Sequence, residues 1–380
     1  MILIFIAFFF RLLLSYYDVH IANLPGAEQD ALRFHTVALE YSKYLNDKAN
    51  FLETSFEYTR GWWYSVFLGT LYNFFGISSK LFASYLSCFV WIVSALTFRK
   101  IMLKLNIRKD YRYFAILLYC FAFPTSIIYT AVTLREVYLM CCFNFLVLLI
   151  INIHDTKKII IKFLYVLTIF FILYLLTLLH RSNLYFVLLF LLLIIFYFLI
   201  NKLNLSKLFL IISGIFIIYF STYFGYTEFL FNISKNYQIG HFTPGHEDRA
   251  AYYIRSDITE LKFSLITIFT HFFTNIYHYL FQPTIFKIEN LKDTITMYEN
   301  LLRIALISFA LRKSFLKFDK KILFNIFLIM FMLMEIIYSQ ATVNWGTASR
   351  HHVPVMGVII LLAFFPSYKV KLKKKHLIIK

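Results

Sequence analysis

Residues 159–179 read IIIKFLYVLTIFFILYLLTLL and carry one charge, that of Lys162. A second run, Leu184–Ile200, follows almost at once and carries no charge. An apolar stretch of about 20 residues is long enough to cross the hydrocarbon layer of a bilayer as a helix. Because such runs cannot all be packed into one soluble core of a 380-residue chain, they predict a polytopic membrane protein.

The composition of the whole chain agrees with that reading. Hydrophobic residues make up 60% of it and charged residues only 15%, where a soluble domain carries about 25% charged residues. Lipid offers no hydrogen-bond partner to the backbone, so a spanning segment must be a helix or part of a closed barrel. The runs are too long for barrel strands and lack their alternation. We therefore expect an all-α transmembrane bundle, with residues 1–380 forming a single membrane domain.

The net charge of +18 raises the question of a nucleic-acid partner. The basic residues instead cluster in short segments between apolar runs, at residues 99–112 and 312–321 and in the tail from Lys369 to Lys380. Short loops rich in Lys and Arg are typical of the cytoplasmic side of a membrane protein. We expect no nucleic-acid partner, and we expect both termini to be cytoplasmic.

Two apolar segments fit this orientation only if they do not cross the membrane. Residues 62–75 would otherwise place the basic segment 99–112 outside; they are short for a crossing and rich in aromatic residues, which favour the interface. We therefore expect residues 62–75 to form an amphipathic helix lying on the outer surface. Residues 263–281 raise the same difficulty, and we expect them to be re-entrant or interfacial. About ten spans remain. They are residues 2–17, 81–98, 113–131, 136–153, 159–179, 183–200, 208–225, 297–311, 322–338 and 353–366.

This topology collects the unusual polar segments on the outer face. A long outer loop, residues 18–80, carries juxtamembrane helices, and a second outer region covers residues 226–296. The first loop holds seven of the 20 acidic residues of the chain, which is a concentration. It is also longer than a connection between helices requires. We expect it to carry the chemistry.

Asp30, Phe34 and Ala38 are spaced to share one face of a helix in that loop. Glu28 and Asp30 lie near the start of this helix, where the helix dipole alone favours acidic residues. The functional alternative is a carboxylate held near the membrane surface as a general base. We select Asp30 as the candidate base and Glu28 as the second candidate.

Three arginines lie at outer junctions between apolar runs: Arg135, Arg181 and Arg350. A single arginine at a helix end usually extends to the lipid headgroups. Three on the same face could instead form a clamp for a phosphate or diphosphate, because guanidinium groups bind such oxygens in bidentate fashion. His351 belongs to this donor-binding set.

Four further histidines are candidate site residues on the outer face, and histidines can also bind a metal. His246 lies in a loop polar enough to line a site or to cover one. Adjacent histidines on a helix point apart, so we expect no metal and no cofactor, although a divalent cation would be compatible with the outer carboxylates. The candidates are His35, His180, His246 and His352.

The layout resembles the GT-C superfamily of membrane glycosyltransferases. The Asp30-x3-Phe34-x3-Ala38 pattern is similar to one in the first outer loop of lipid A aminoarabinose transferases and protein O-mannosyltransferases, and residues 63–76 resemble their juxtamembrane segment ending in Phe-Gly. In that family a second acid often follows the first; here Ala31 follows Asp30. Residues 133–136 and 346–351 are also similar to patterns in Wzy-type O-antigen polymerases.

The resemblance implies an inverting transferase in the bacterial cytoplasmic membrane, acting in envelope polysaccharide or glycolipid assembly. Its donor would be a sugar on a polyprenyl phosphate or diphosphate, and its acceptor a glycan or lipid. Asp30 would deprotonate the acceptor hydroxyl, and the three arginines would stabilise the leaving phosphate.

Two other functions stay open beside a single-sugar transferase. A Wzy-type polymerase joins lipid-linked repeat units, and the arginine-rich outer junctions favour it mildly. A flippase or transporter of lipid-linked oligosaccharides is the non-enzymatic alternative. Transporters usually place their polar site near the middle of the membrane and often contain internal repeats, whereas here the polar residues gather at one face.

Overall fold

The protein is described by a computed structural model covering residues 1–47, 63–180, 182–203, 265–288, 290–316, 318–342 and 345–366. All regular secondary structure within these ranges is helical. The first nine helices are α1 Ile2–His20, α2 Glu28–Asp47, α3 Trp63–Phe75, α4 Lys80–Lys104, α5 Lys109–Phe121, α6 Pro124–Ala131, α7 Glu136–Asp155, α8 Ile159–Leu179 and α9 Asn183–Leu203. The later ones are α10 Leu265–Phe281, α11 Leu291–Ser314, α12 Lys321–Ala341, α13 Trp345–His351 and α14 Met356–Ala363, with 3₁₀ turns at Ile285–Lys287 and Val353–Val355.

Six of the described helices are long and apolar enough to cross a membrane: α1, α4, α7, α8, α11 and α12. The α5–α6 pair would make a seventh span, although it bends by 61°. The chain therefore has the helical, multi-pass character that its composition predicts. The predicted span 208–225 lies outside the described residues, and the full count of about ten spans stays a prediction.

Two predicted spans differ in form from the expectation. Residues 113–131 are not one straight helix, because the chain breaks between α5 and α6. Residues 353–366 form a 3₁₀ turn followed by α14, which has eight residues. At about 1.5 Å per residue, α14 alone is shorter than the bilayer core. Both differences arise where proline interrupts an apolar run, at Pro124 and Pro354.

The break before α6 explains why α11 carries a charged residue in an apolar segment. Pro124 occupies the first turn of α6, and the backbone N–H of Thr125 has no helical partner there. Glu299 of α11 accepts that N–H at 2.7 Å and faces the Thr125 hydroxyl at 2.5 Å. The carboxylate thus lies at the positive end of the α6 dipole, and the otherwise unpaired backbone is satisfied inside the bundle.

Arg11 joins α1 to the broken pair. Its Nε donates to the Thr130 hydroxyl at 2.8 Å, and its guanidinium lies 3.7 Å from the centroid of the Trp91 ring. The side chain also donates to the Cys120 carbonyl at 3.4 Å. A fully buried arginine in an apolar helix is tolerated only when its donors are satisfied in this way, so Arg11 has a structural role.

The helices α2 and α3, which lie in the predicted first outer loop, form a closely packed pair. Phe34 and Ala38 are buried, and the Phe34 ring meets Tyr64 of α3 edge to face with centroids 5.1 Å apart. A Cβ added to Gly69 would lie 2.5 Å from the Ala38 carbonyl oxygen, so only glycine permits this approach. The predicted stripe is therefore, in part, a packing face.

Several helices end at one end of the bundle, which we call the polar end and define by Asp30, Glu136, His180, Arg350 and His351. Tight contacts bring the ends of different helices together there. Asp18 at the end of α1 pairs with Lys80 at the start of α4 at 2.8 Å. Described residues of the predicted second outer region also reach it, since Asn275 of α10 donates to Gln340 of α12 at 3.3 Å.

The two basic segments lie together at the opposite end of the bundle. Lys313, near the end of α11, donates to the Phe365 carbonyl at 2.7 Å. The neighbouring Phe364 ring lies 6.2 Å from that of Tyr111, near the start of α5. The segments 99–112 and 312–321 thus share one end, which we call the basic end.

Candidate functional site

The centre of the polar end is the guanidinium of Arg350, which faces two carboxylates. Its Nη1 donates to Oδ2 of Asp30, and its Nε lies 2.9 Å from Oε1 of Glu136. Arg135 approaches the same Glu136 oxygen from another side, with its Nε 4.0 Å away. Asp30, Arg350, Glu136 and Arg135 therefore form one continuous cluster, in which two carboxylates alternate with two guanidinium groups.

Local structure favours each of these charges where it stands. Asp30 and Glu136 lie in the first turns of α2 and α7, where the helix dipole favours a carboxylate. Arg350 lies in the last turn of α13, where the dipole favours a cation. Arg135 immediately precedes α7 and donates to the Leu179 carbonyl of α8 at 3.3 Å, which satisfies a carbonyl at that helix end.

The two carboxylates of the cluster differ in their contact with solvent. The side chain of Asp30 is 43% exposed, whereas that of Glu136 is 2% exposed. Burial raises the pKa of Asp30, but the Arg350 guanidinium outweighs it and holds the pKa below its ordinary value. Burial lowers the pKa of Arg350, but Glu136 and Asp30 outweigh it and raise that pKa, so the guanidinium stays charged.

His180 and His351 line the next part of the polar end, with ring centroids 5.8 Å apart. Burial, together with Arg135 and Arg350, holds the pKa of both well below its ordinary value, so both are neutral near pH 7. The Thr342 hydroxyl donates to the Tyr338 carbonyl and lies 2.7 Å from Nδ1 of His351. In the neutral ring Nδ1 then carries the proton and donates to Thr342, and Nε2 is the acceptor nitrogen.

Two histidines that the sequence selected lie away from this cluster. His35 is on the α2–α3 interface, where its Nδ1 lies 2.9 Å from the Tyr72 hydroxyl. His352 pairs with Glu335 at 2.9 Å, and its Nε2 lies 3.3 Å from the Tyr279 carbonyl oxygen. The other candidates fall outside what the structure describes: Arg181 and His246 entirely, and Glu28 for its side chain.

A cavity with both polar and apolar lining lies on the other side of α13. Arg303 faces into it and donates to Oδ1 of Asn300 at 2.6 Å, and Asn300 donates to the Gln282 carbonyl at 2.6 Å. Because Ser349 and His352 line this cavity while Arg350 and His351 join the polar end, α13 separates the two polar regions. The lining is Phe123, Thr125, Ser126, Arg303, Phe331, Glu335, Ser349, His352, Val353, Met356 and Ile359.

Glu136 and Tyr129 belong to the site but were not assigned a role from the sequence. Glu136 follows Arg135 directly and opens an apolar run, and a carboxylate at such a junction was the available signal. Tyr129 gives no signal of its own in the sequence, because it lies in an apolar segment. Its hydroxyl is near enough to Arg350 to act on that guanidinium electrostatically. It also lies against Gly26, where φ is +81° and an added Cβ would be 3.0 Å from the Tyr129 hydroxyl.

The described ranges hold no group of side chains arranged to bind a metal. No three His, Cys, Asp or Glu side chains within them come close enough to hold an ion. Whether the whole chain binds a divalent cation stays a prediction from the sequence, since residues 48–62 and 204–264 lie outside these ranges.

The described residues form a helical bundle of multi-pass membrane character, with two carboxylates and two guanidinium groups clustered at its polar end. No family model, no curated protein and no solved structure matches the chain.

Proposed function

We propose that the protein is a membrane glycosyltransferase that uses a sugar donor linked to a polyprenyl phosphate or diphosphate. The observation that carries the proposal is the position of Arg350 between the exposed carboxylate of Asp30 and the buried carboxylate of Glu136. A half-exposed carboxylate beside a fixed guanidinium pairs a base with a phosphate-binding group. Both groups are needed at the reacting centre of sugar transfer from a phosphate.

In the proposed reaction Asp30 removes the proton from the acceptor hydroxyl as that oxygen attacks the anomeric carbon. A new carbon–oxygen glycosidic bond forms, and the bond from the anomeric carbon to the phosphate oxygen breaks. The phosphate leaves with the electron pair, and the proton passes from Asp30 to solvent. Attack opposite the leaving group inverts the anomeric configuration.

The arginines stabilise the negative charge that grows on the leaving phosphate. Arg350 is the principal group, because it is the guanidinium that contacts the candidate base Asp30 directly. Arg135 supports it through Glu136, and the sequence adds Arg181 to the same set. His351 and His180 border the cluster as neutral groups that can exchange hydrogen bonds with sugar hydroxyls.

The proposed location is the outer leaflet of a bacterial cytoplasmic membrane, with both termini inside. The grouping of the basic segments at one end of the bundle and of the cluster at the other supports this orientation. The exposed faces of α8 offer aromatic and aliphatic side chains to lipid, and a prenyl chain could lie against them. Among these side chains are Phe163, Phe170, Phe171 and Tyr174.

The test is an assay of the purified full chain in sealed proteoliposomes with a radiolabelled polyprenyl-linked sugar pool and candidate acceptors. Addition of one sugar per acceptor is the expected result. A ladder of products would replace the single-sugar transferase by a polymerase. Movement of the labelled lipid across the bilayer without a new glycosidic bond would show a flippase and overturn the proposal.

A further inference from the structure

The four charges at the polar end are already paired with one another. Two carboxylates and two guanidiniums alternate, and the most exposed contact among them is that between Asp30 and Arg350. A phosphate entering from solvent would therefore meet an arginine that is already engaged. The cluster needs a change of partners before it can bind an anion and before Asp30 can act as a base.

We propose that Asp30 occupies the position on Arg350 that the phosphate of the lipid donor takes, so that donor binding releases the base. This inference rests on the proposed function and adds a regulatory step to the same site. The carboxylate of Asp30 and the phosphate oxygens compete for Nη1 of Arg350. Base and donor site are therefore coupled through one guanidinium.

Asp30, rather than Glu136, is the partner that gives way. Glu136 is almost wholly buried and faces both Arg350 and Arg135, so moving it would leave two guanidiniums without their buried counter-charge. Asp30 is half exposed, and water can solvate its carboxylate after it leaves Arg350. Glu136 thus acts as a positioning residue that keeps Arg350 in place while its outer partner changes.

A further cation near Asp30 would attract an anion toward Arg350. Arg33, exposed on α2, lowers the pKa of Asp30 together with Arg350 and Arg135. The charge of Arg33 offsets the negative charge of Asp30 at the entrance.

The exchange has a chemical consequence for the reaction. While Arg350 is paired with Asp30, the guanidinium stabilises the carboxylate and weakens it as a base. Once a phosphate takes over Arg350, this stabilisation falls and the basicity of Asp30 rises. Asp30 would thus become an effective base only when a donor is bound. This suppresses proton transfer to Asp30 before the donor binds.

The test measures binding of a sugar-free, radiolabelled short-chain polyprenyl phosphate to the purified full chain by equilibrium dialysis. Asp30→Asn removes the competitor and is expected to bind the probe about tenfold more tightly, which corresponds to about 1.4 kcal/mol. Glu40→Gln removes the same charge from an exposed position on the same helix, and it reports any general gain in attraction. The expected order of affinity places Asp30→Asn clearly above both Glu40→Gln and the parent chain.

A second pair of variants assigns the gain to Arg350. In an Arg350→Gln background, adding Asp30→Asn is expected to raise the affinity by less than twofold, because the shared cation is gone. Equal affinities of Asp30→Asn and Glu40→Gln, or the full gain in the Arg350→Gln background, would overturn the inference. If the probe binds as expected but no sugar is transferred, the exchange of Asp30 for phosphate on Arg350 is supported and the proposed function fails. If sugar is transferred but Asp30→Asn does not bind the probe more tightly, the proposed function is supported and the exchange fails.

Discussion

Asp30 and Glu136 both face Arg350, but burial gives the two carboxylates different tasks. Glu136 is enclosed at the start of α7 and balances two guanidiniums, so its contribution is mainly to stability. Asp30 is half exposed, its contact with Arg350 is screened by water, and its contribution is expected to be mainly to function. Changing Glu136 should therefore reduce stability more than changing Asp30 does, and changing Asp30 should reduce activity by a mechanism that does not depend on stability.

Glu136→Gln is expected to lower the free energy of unfolding by about 3 kcal/mol, because it leaves buried guanidinium charge without its partner. Asp30→Asn should cost about 1 kcal/mol or less. Apparent melting temperatures of the two variants in the same detergent test this order. Equal destabilisation by both would contradict the division of roles.

The Asp30–Arg350 contact also gives stability a pH dependence of known sign. The pKa of Asp30 is lowered in the folded protein, so the contribution is present above the ordinary aspartate pKa and is lost as the pH falls through the lowered value. The melting temperature of the parent chain should therefore fall more steeply below about pH 4 than that of Asp30→Asn. Parallel curves of melting temperature against pH for the two proteins would show that the Asp30–Arg350 ion pair does not contribute to stability.

At the level of single residues, the sequence identified several of the charged side chains that form the cluster, but not which of them pair with one another. Arg135 and Arg350 were selected because they lie at junctions on one predicted face, and Asp30 because of its helical spacing with Phe34 and Ala38 and the family resemblance. The structure brings the three together. Pairing depends on helix rotation and depth, which a junction in the sequence does not specify. The same reason explains why His35 and His352, equally prominent in the sequence, point to other partners.

Among the elements, the α2–α3 pair carries Asp30 and fixes where it stands. Its close approach depends on Gly69, which lies against the backbone of α2 at Ala38. The sequence predicted two helices in this loop, and the aromatic content of residues 62–75 marked α3 as interfacial. It could not show that Phe34 and Ala38 face α3, because a helical stripe is equally compatible with packing and with a site.

Gly69→Ala is expected to destabilise the protein, because the added methyl meets a carbonyl oxygen and forces α3 away from α2. Overpacking costs about 1–3 kcal/mol, and the better helix propensity of alanine offsets about 1 kcal/mol of it. Thr70→Ala, at the exposed neighbouring position, is the control and should change the melting temperature little. An unchanged melting temperature of Gly69→Ala would show that the pair is more loosely packed than described.

The broken α5–α6 pair is the element that the sequence predicted least well. Apolar composition alone made residues 113–131 a single span, although Pro124 lies within it. The break requires a partner for the freed backbone, and that partner is Glu299, more than a hundred residues later. A contact so distant in the chain has no local signature.

For the whole molecule, composition was sufficient to predict an all-helical membrane chain, and the basic segments were sufficient to predict which helix ends lie together. The structure places segments 99–112 and 312–321 at one end and the charged cluster at the other. The number of spans was harder to predict, because bent and short helices such as α14 satisfy the composition of a span but not its length.

The predicted sidedness can be tested with single cysteines at the two ends. Glu40→Cys on α2 and Arg108→Cys before α5 are exposed positions at opposite ends of the bundle. In intact bacterial spheroplasts, a membrane-impermeant maleimide should label Glu40→Cys, and it should label Arg108→Cys only after permeabilisation. The parent chain, with its four native cysteines, provides the background. Labelling of Arg108→Cys in intact spheroplasts would reverse the orientation.

The most direct measurement is the rate of sugar transfer from a polyprenyl-linked donor by Asp30→Asn compared with Glu40→Gln, each purified as the full chain. Loss of a general base costs about 10²–10⁴ in rate, so Asp30→Asn should fall by at least about 100-fold. Glu40→Gln carries the same charge change on the same helix and should keep the parent rate within about twofold, because its side chain is exposed. Transfer by Asp30→Asn at the rate of Glu40→Gln would contradict the account.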